Sequence, residues 1–438
     1  MPRVLMLSPH FPPDTSAGAH RVRLLAPHLR RYGWEPTVVT VDPRDYEGRL
    51  DPSLAALVPE DLRVVRCRAW PAALTRLAGV GDLGLRAFTG LRRTCALLLE
   101  SERFDALFIT IYPTYPALLG PSLKRRFGVP FVLDYQDPWV GAWGLTVGGG
   151  RGGRPDWRSR ASRFLASRLE TRVVRAADAI TAVSEETYRE LWRRYPGLEK
   201  TPCAAIPIGG EPADFERIRR APRENPWFDP KDGQTHVCYV GTLLPLGEET
   251  LRAVLAAVAL VRARRPELYA RLRLHFFGTG NQTVPGAAPR ALPLAAEIGV
   301  ADRVTELPTR IDYLDALTVL TQAHAILLMG SSERHYTASK LYPALLAERP
   351  LLAVYHEASS VVEILRRAAR PPAARLVTYG DTAPAAARVD AIAREIIELL
   401  DRPVDSPVVA DAAVLIRHSA ESLAGKLAGV LDLARGRQ

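Results

Sequence analysis

Short apolar runs alternate with longer amphipathic stretches along most of the chain. The first apolar run, residues 4–7, is followed by residues 19–32, in which leucine and valine recur at the three- and four-residue spacing of a helix. Gly33 comes directly after that stretch, where a residue that tolerates a left-handed conformation commonly ends a helix. This alternation of strand-like and helical patterns predicts βαβ units built around a parallel sheet.

The predicted strands fall into two series. They cover residues 4–7, 36–41, 62–67, 106–111, 130–134 and 179–183 in the first series, and residues 236–240, 272–277, 304–307, 325–329 and 351–355 in the second. Predicted helices of the second series cover residues 248–264, 292–298, 313–321 and 339–347. Each series predicts one doubly wound, Rossmann-like α/β domain, the first over residues 1–210 and the second over residues 211–410.

The connection between these domains is expected within residues 207–230, where Pro, Gly and Asp are dense. One last helix is predicted over residues 411–434. It has no strand after it, so residues 411–438 are free to pack back onto the first domain.

Composition and charge narrow the class of partner. The chain has 438 residues, of which 47% are hydrophobic and 24% charged, as in a globular protein of two or three domains. A formal net charge of +10 invites a nucleic-acid or membrane partner. Lysine occurs at only five positions, however, and acidic residues are interspersed with the many arginines. We therefore expect no nucleic-acid partner, and the charge either covers a solvated surface or attracts donor phosphates or anionic lipid.

The cysteines and apolar runs bear on location. The four cysteines lie far apart without a C-x-x-C pair, so neither a disulfide framework nor a metal site is expected. No run approaches 18 consecutive apolar residues, and residues 4–7 are too short for a secretory signal. The expected location is the cytoplasm, with peripheral contact at the inner face of the membrane kept open. Residues 157–175, which carry apolar side chains among arginines, either make that contact or pack inward.

Four glycine-bearing segments are possible phosphate sites. Residues 148–153 form a formal G-x-G-x-x-G, but no strand precedes it and no helix follows, so residues 143–156 are interpreted as a flexible loop. Residues 12–18, 239–243 and 276–280 instead follow predicted strands. Ligands bind at the carboxyl ends of strands in open α/β sheets, so these three are the candidates, although a glycine there is also an ordinary turn residue.

Four motifs, taken in order, resemble a known family. They are residues 5–18 around the first glycine loop, residues 131–139 (FVLDYQDPW), residues 177–184 (ADAITAVS) and residues 206–209 (IPIG). They are similar to those of the GT-B glycosyltransferases of the retaining, glycogen-synthase-like (family 4-type) group, in particular its bacterial polysaccharide and natural-product branch. The resemblance implies a GT-B fold, with two Rossmann-like domains facing a cleft. It also implies metal-independent transfer from a nucleotide-sugar, which is a substrate, so no cofactor is expected.

The chain departs from that family at the donor site. Members carry an E-x7-E pair, whose positions fall here on His335 and Pro343. The basic residues that follow the V-G strand end are replaced from Thr242 onward by T-L-L-P-L. Lys340, placed at the start of a predicted helix with Ser339 as its N-cap, is the candidate to supply the missing positive charge.

The candidate residues follow from these two lines of reasoning. The catalytic candidates are Asp137, at a predicted strand end, His10, as a contact to a pyrophosphate or an acceptor, and Gly18, whose amide could approach the donor diphosphate because no Cβ intervenes. Against the donor nucleotide we expect Gly241, Thr242, Gly278, Gly280, Ser339, Lys340 and His335. Each has an ordinary structural alternative, such as a turn glycine, a capping carboxylate or a solvent-facing lysine. No metal ligand set is found, and no D-x-D triplet.

Three functions remain open. The first is a glycosyltransferase acting on a polysaccharide, lipid-linked or small-molecule acceptor. The second is a non-catalytic GT-B protein that binds a nucleotide-sugar or partners an active transferase, which the loss of both E-x7-E carboxylates favours. The third is a sugar epimerase of the same fold, which is less favoured because its acidic and histidine residues are not evident.

Overall fold

The structure is a computed structural model that describes residues 1–140, 157–243, 245–282, 287–331, 339–370, 373–401 and 408–436. The chain divides into two compact units. The first unit comprises Met1–Ile208 and Ala420–Gln438, and the second unit comprises Gly209–Ser419. Among the described residues, none of the helices is both long and apolar enough to span a bilayer.

The strands and helices alternate along both units. The strands are β1 (Arg3–Leu7), β2 (Glu35–Val41), β3 (Arg63–Cys67), β4 (Ala106–Ile111), β5 (Phe131–Tyr135), β6 (Ala179–Ala182) and β7 (Cys203–Ala205) in the first unit, and β8 (Thr235–Val240), β9 (Leu272–Gln282), β10 (Val304–Thr309), β11 (Ala325–Met329), β12 (Leu351–His356) and β13 (Ala374–Tyr379) in the second. The α-helices are α1 (Ala19–Leu25), α2 (Pro52–Ala55), α3 (Ala72–Leu77), α4 (Leu83–Ser101), α5 (Leu119–Phe127), α6 (Trp157–Val174), α7 (Glu185–Arg194), α8 (Pro212–Arg220), α9 (Glu248–Arg264), α10 (Pro266–Arg271), α11 (Ala291–Ile298), α12 (Tyr313–Gln322), α13 (Leu341–Leu346), α14 (Ser360–Ala368), α15 (Val389–Leu400), α16 (Ala412–Arg417) and α17 (Ala420–Arg435). Helices α1 to α7 and α17 belong to the first unit.

The first unit is built on a seven-stranded parallel sheet in the order β3-β2-β1-β4-β5-β6-β7. Its central strand β4 is buried at all six positions, because helices cover both faces of such a sheet. On β1, Leu5 pairs with Thr37 of β2 on one side and with Leu107 of β4 on the other. Helix α1 continues as a 3₁₀ segment, Ala26–Tyr32, and Gly33 ends it with a φ of 81°, as predicted.

Helix α17 completes one face of this sheet. Leu423, Leu427 and Leu431 recur at four-residue spacing and are buried in a cluster with Val22 and Leu29, from α1 and its 3₁₀ extension. The prediction of one continuous helix over residues 411–434 is wrong. Two helices lie there, α16 and α17, because the first ends at His418 just before the chain passes from the second unit to the first.

The second unit contains a six-stranded parallel sheet in the order β10-β9-β8-β11-β12-β13. Both sheets are parallel with helical crossovers, so the α/β, doubly wound prediction is confirmed. One boundary matters for the site. The prediction that a strand ends at Phe277 and opens into a loop is wrong, because β9 continues to Gln282. Gly278 lies inside it with a φ of 72°, and the pairing with β10 shifts register between Leu307 and Thr309.

Candidate functional site

Two glycines meet in the second unit, one just after the carboxyl end of β8 and the other within β9. Gly241 follows β8 with a φ of 127°, and Gly278 has a φ of 72°, so neither backbone suits a residue with a Cβ. The amide of Gly241 donates to the carbonyl of Phe277 at 2.7 Å. A Cβ built on Gly278 would lie 3.9 Å from the Cα of Gly241. The two predicted donor-site glycines are therefore direct neighbours.

The side chain of Lys340 packs against Gly241. Its Nζ donates to the Tyr239 hydroxyl at 2.6 Å and to the Thr242 carbonyl at 2.7 Å, and it sits 4.6 Å from the centre of the Tyr239 ring. A Cβ on Gly241 would be 2.3 Å from its Cε, so a larger residue there would displace the lysine side chain. Burial, reinforced by the positive charge of Arg310, lowers the pKa of Lys340 to about 7.

The prediction that Ser339 caps the following helix is wrong. Lys340 occupies the N-cap position of α13, and no side chain caps that end. Ser339 is exposed one residue earlier. The reason is that α13 begins only at Leu341, so the serine is one position too far from the first helical amides to accept from them.

Arg310 is a site residue that the sequence did not single out. It follows β10, and its Cα and Cγ each lie 3.8 Å from the Cβ position of Gly278. Its position directly after a predicted strand could have indicated it, but the chain contains many arginines and nothing else in the sequence distinguishes this one. Lys340 and Arg310 thus bring two basic side chains to the paired glycines.

A small pocket opens beside these residues. Thr242, predicted as a donor contact, lines it together with Tyr239, Leu243, Gly247, Met329, Gly330 and Ser331. These residues come from the ends of β8 and β11 and the approach to α9. The pocket lies at the carboxyl edge of the sheet, and its volume of about 10 Å³ holds no more than one water molecule.

Gly280, another predicted donor contact, is closely packed. A Cβ there would be 3.0 Å from the Cβ of Ala287 and 3.2 Å from the carbonyl of Pro308. The nearby start of α11 holds the carboxylate of Glu306, which accepts from the amides of residues 290, 291 and 292 at 2.8 to 2.9 Å. That helix start is already neutralised by a fixed anion. The remaining predicted donor residue, His335, lies outside the described residues.

In the first unit, His10 and Asp14 form a pair at the end of β1. The Nδ1 of His10 is hydrogen-bonded to the Oδ2 of Asp14, which also accepts from the Ser16 hydroxyl at 2.7 Å. The Ser16 amide donates to Oδ1 at 3.1 Å. Burial acts to raise the pKa of Asp14, but the bonds from His10 and Ser16 outweigh it and hold that pKa below its usual range.

Gly18 lies against the same group of residues. It is buried at the start of α1, and a Cβ on it would be 2.3 Å from the Cδ1 of Tyr112. The ring of Tyr112 lies 5.3 Å from that of His10, centroid to centroid. The close approach of the Tyr112 ring therefore favours a residue without a Cβ at position 18, whether or not Gly18 also makes the proposed phosphate contact.

Asp137 follows β5 and is exposed. Partial shielding of the carboxyl from water by the surrounding protein raises its pKa. Beside it, the Nε2 of Gln136 is buried and finds no hydrogen-bond acceptor within the described residues. No contact in the described part of the chain joins Asp137 to His10 or Gly18.

The sequence reasoning also missed a buried ion pair behind this site. Arg21 of α1 donates from Nε and Nη2 to the two carboxylate oxygens of Asp134 at 2.8 and 2.5 Å. The Nη1 of Arg21 donates to the carbonyls of Ile206 and Pro207. The hydroxyl of Thr181 donates to the carboxylate of Asp134 at 2.7 Å. The pair fixes the helix that follows the His10 loop to the middle of the sheet. Within the described ranges, no group of three or more His, Cys, Asp or Glu side chains is arranged to hold a metal ion.

Comparison with known proteins agrees with this architecture. Residues 16–209 match the family model described as the glycosyl transferase 4-like domain. The structure resembles a glycosyltransferase of Rickettsia africae, at 12% identity and a TM-score of 0.56, over 99% of this chain and 98% of that one. It also resembles HepE of Anabaena in complex with UDP-glucose, at 14% identity and a TM-score of 0.55, over 99% and 97% of the two chains.

A third similar structure is the UDP-forming α,α-trehalose-phosphate synthase of Burkholderia xenovorans, at 12% identity and a TM-score of 0.54, over 100% of this chain and 98% of that one. No curated protein sequence matches the chain. The fold is thus of the GT-B type, as predicted. Residues 16–209 thus match a glycosyl transferase domain, and the expectation of a transferase is confirmed at that level.

Proposed function

We propose that the protein transfers a sugar from a nucleotide-sugar, whose diphosphate binds at the glycine pair of the second unit. One observation carries the proposal: Gly241, at the end of β8, lies against Gly278 of β9 beside the basic side chains of Lys340 and Arg310. Bare backbone lets a phosphate approach closely, and two cations offset its charge. The similar HepE structure contains UDP-glucose, which supports the same class of donor here.

The finer chemistry follows from the family resemblance. We propose transfer without a metal ion or other cofactor, with retention of anomeric configuration. In this mechanism the site chiefly stabilises the leaving diphosphate, so that fixed charges take the place of a bound metal. The acceptor class remains a polysaccharide, a lipid-linked sugar or a small molecule.

Binding of nucleotides tests the donor site. The thermal unfolding of the second unit is followed with UDP-, GDP-, ADP- and dTDP-sugars in the absence of metal. A sugar nucleotide at 100 times its Kd stabilises the protein by about 2.7 kcal/mol. Lys340→Ala should weaken that binding by about 1–3 kcal/mol, because a charge-assisted contact is lost.

A matched control separates this effect from a general loss of charge. Lys231→Ala removes another lysine of the second unit, which is exposed and lies before β8. It should leave nucleotide affinity unchanged. Equal affinities of Lys340→Ala and the parent protein for every nucleotide would contradict the phosphate role. Turnover is then measured with the tightest donor, and the anomeric configuration of the product is read by NMR.

A non-catalytic role is the second candidate, and one observation favours it. The first turn of α13 contains no acidic residue, and Pro343 occupies the position where related enzymes carry a donor-binding glutamate. Such a protein would bind the nucleotide-sugar through Lys340 without turning it over. Tight donor binding, with neither transfer to a panel of acceptors nor hydrolysis of the donor, would favour this alternative.

We also propose peripheral contact with a membrane through α6, and hence a location at the inner face of the membrane. Phe164 and Leu165 are exposed on this helix, and the guanidinium of Arg168 lies 4.8 Å from the Phe164 ring centre. Apolar side chains among arginines suit an anionic lipid surface. Co-sedimentation with anionic vesicles should fall for Phe164→Ser, and binding that does not depend on anionic lipid would contradict the proposal.

A further inference from the structure

Tyr239 contacts the ammonium of Lys340 in two ways. Its hydroxyl accepts a hydrogen bond from Nζ at 2.6 Å, and the centre of its ring lies 4.6 Å from Nζ. Both contacts favour the charged form of the lysine, because a hydroxyl oxygen and the face of an aromatic ring are each electron-rich. Tyr239 thus holds the cation that packs against Gly241.

The proton of the Tyr239 hydroxyl is used elsewhere. The hydroxyl donates to the carbonyl of Thr242 at 2.9 Å, so toward Lys340 it acts as an acceptor. The same carbonyl accepts from the Nζ of Lys340 at 2.7 Å. Between these residues Gly241 has a φ of 127°, a backbone conformation that a residue with a Cβ rarely adopts. The hydroxyl, the carbonyl and the ammonium form a closed set of three hydrogen bonds.

The ring of Tyr239 is a fixed support for this set. Tyr239 is 3% exposed near the end of β8, where it pairs with Phe276 of β9, and the two ring centres lie 5.9 Å apart. A lysine side chain alone is a flexible four-carbon stem, and ordering it on binding costs free energy. With Lys340 already held against Tyr239, part of that cost is met before a ligand arrives.

We propose that Tyr239 is a positioning residue of the donor site, which holds the ammonium of Lys340 so that one N–H group remains for the donor diphosphate. This inference rests on the proposed function. An ammonium has three N–H groups, and within the described residues the Tyr239 hydroxyl and the Thr242 carbonyl take two of them. The side chain of Lys340 is partly exposed, so a ligand can reach the third.

The hydroxyl distinguishes this role from simple packing. A phenylalanine at position 239 would fill the same space in β8, but the ammonium would then keep only the Thr242 carbonyl and the ring face. Burial and the positive charge of Arg310 lower the pKa of Lys340 to about 7. The hydrogen bond from the ammonium to Tyr239 opposes this effect, because it stabilises the charged lysine.

A double-mutant cycle on the full chain tests the proposal. The probe is the sugar nucleotide, among UDP-, GDP-, ADP- and dTDP-sugars, that the wild type binds most tightly. Tyr239→Phe should weaken its binding by about 10-fold, because the ammonium loses an acceptor. In the Lys340→Ala background the same substitution should change affinity by less than about twofold, because the group that the hydroxyl holds is gone.

Tyr269→Phe is the matched control. This tyrosine is also buried in the second unit, but its hydroxyl donates to Asp302 at 2.5 Å, before β10 and away from the paired glycines. The control should bind the nucleotide as the wild type does. Lys340→Arg keeps the positive charge, but a planar guanidinium does not reproduce the contacts of a compact ammonium, so its affinity should also fall by about 10-fold.

The pH dependence of nucleotide affinity provides a readout that packing would not move. The diphosphate needs the charged lysine, so the affinity of the wild type should fall as the pH rises through about 7. Tyr239→Phe should lower the pKa of Lys340 further, so its affinity should begin to fall at a lower pH. Lys340→Ala should lack this dependence.

The outcomes separate this inference from the proposed function. Wild-type affinity in Tyr239→Phe, or an equal loss with and without Lys340, would overturn the positioning role. If Tyr239→Phe does not fold, Lys340→Arg decides, because wild-type affinity in that variant would show that charge alone is enough. A wild type that binds none of the sugar nucleotides would instead overturn the proposed function.

Discussion

Substitution of Asp134 by alanine should destabilise the first unit more than any change on its surface. The carboxylate is fully buried, and the side chain of its partner Arg21 is 1% exposed. After the substitution, the guanidinium keeps only the carbonyls of Ile206 and Pro207 as acceptors. A positive charge would thus be left in a dry interior without a counter-charge, and the hydroxyl of Thr181 would keep only its longer bond, 3.4 Å, to the carbonyl of Leu133.

The size of the effect follows from this geometry. Removing one partner of a buried ion pair costs about 3–5 kcal/mol, because the remaining charge is not compensated. For a unit of this size, each kcal/mol lowers the melting temperature by about 2–4 °C. We therefore expect the first unit of Asp134→Ala to melt about 6–20 °C below that of the wild type.

Differential scanning calorimetry with a separate optical probe measures this shift. Six of the seven tryptophans, the buried Trp34 among them, precede residue 209, so in the variant Trp227→Phe the tryptophan fluorescence reports on the first unit and not on the second. Glu100→Ala is the matched control, because it breaks an exposed pair with Arg126 in the same unit. An exposed pair contributes at most about 1 kcal/mol, so this control should melt close to the wild type.

A double substitution tests the cause. Arg21→Met combined with Asp134→Leu removes both charges and keeps the volume filled, so it should recover most of the stability lost in Asp134→Ala. If Asp134→Ala melts within the range of Glu100→Ala, the pair is not desolvated and the reasoning is wrong. If the double variant is as unstable as the single one, the loss reflects packing and not an unpaired charge.

Three further outcomes are expected. Gly241→Ala should weaken nucleotide binding in a titration, because its φ is 127° and its Cβ would displace Lys340. Gly18→Ala should lower the denaturation midpoint of the first unit, because the new Cβ meets Tyr112. Burial lowers the pKa of His275 from the 6.5 of an ordinary histidine to about 4, so the unfolded chain binds more protons between these values and stability falls as pH drops through that window. Between about pH 7 and pH 5, the melting temperature of His275→Phe should therefore fall less than that of the wild type.

The sheets could be predicted because parallel strands are buried on both faces and therefore appear as continuous apolar runs. β4 is the clearest case, and its observed bounds equal the predicted ones. β7 was not predicted, since it has only three residues, two of them alanine. β13 was also not predicted, because Arg375 and Thr378 interrupt its apolar residues and the segment has neither the continuous apolar run of a buried strand nor the spacing of a helix.

The site was predictable only where it depends on local backbone. Gly241 and Gly278 follow apolar runs, so their position could be inferred, but the continuation of β9 beyond Gly278 could not. Arg21 and Asp134 are 113 residues apart, and no local pattern brings them together. Asp14 is only four residues from His10, yet the loop between them has no regular period from which their contact could be predicted.

The charge of the chain shows why position matters more than composition. Many arginines of the described residues are matched by acidic side chains, as in the pairs of Arg63 with Glu102 and of Arg265 with Asp401. Many positive charges are therefore cancelled locally, and the net charge of +10 does not by itself indicate where a ligand binds. Lys340 differs, because the oxygens that it contacts, a tyrosine hydroxyl and a backbone carbonyl, are both neutral. A diphosphate arriving at Gly241 would give this ammonium an anionic partner, and it would raise the lowered pKa of Lys340 as it binds.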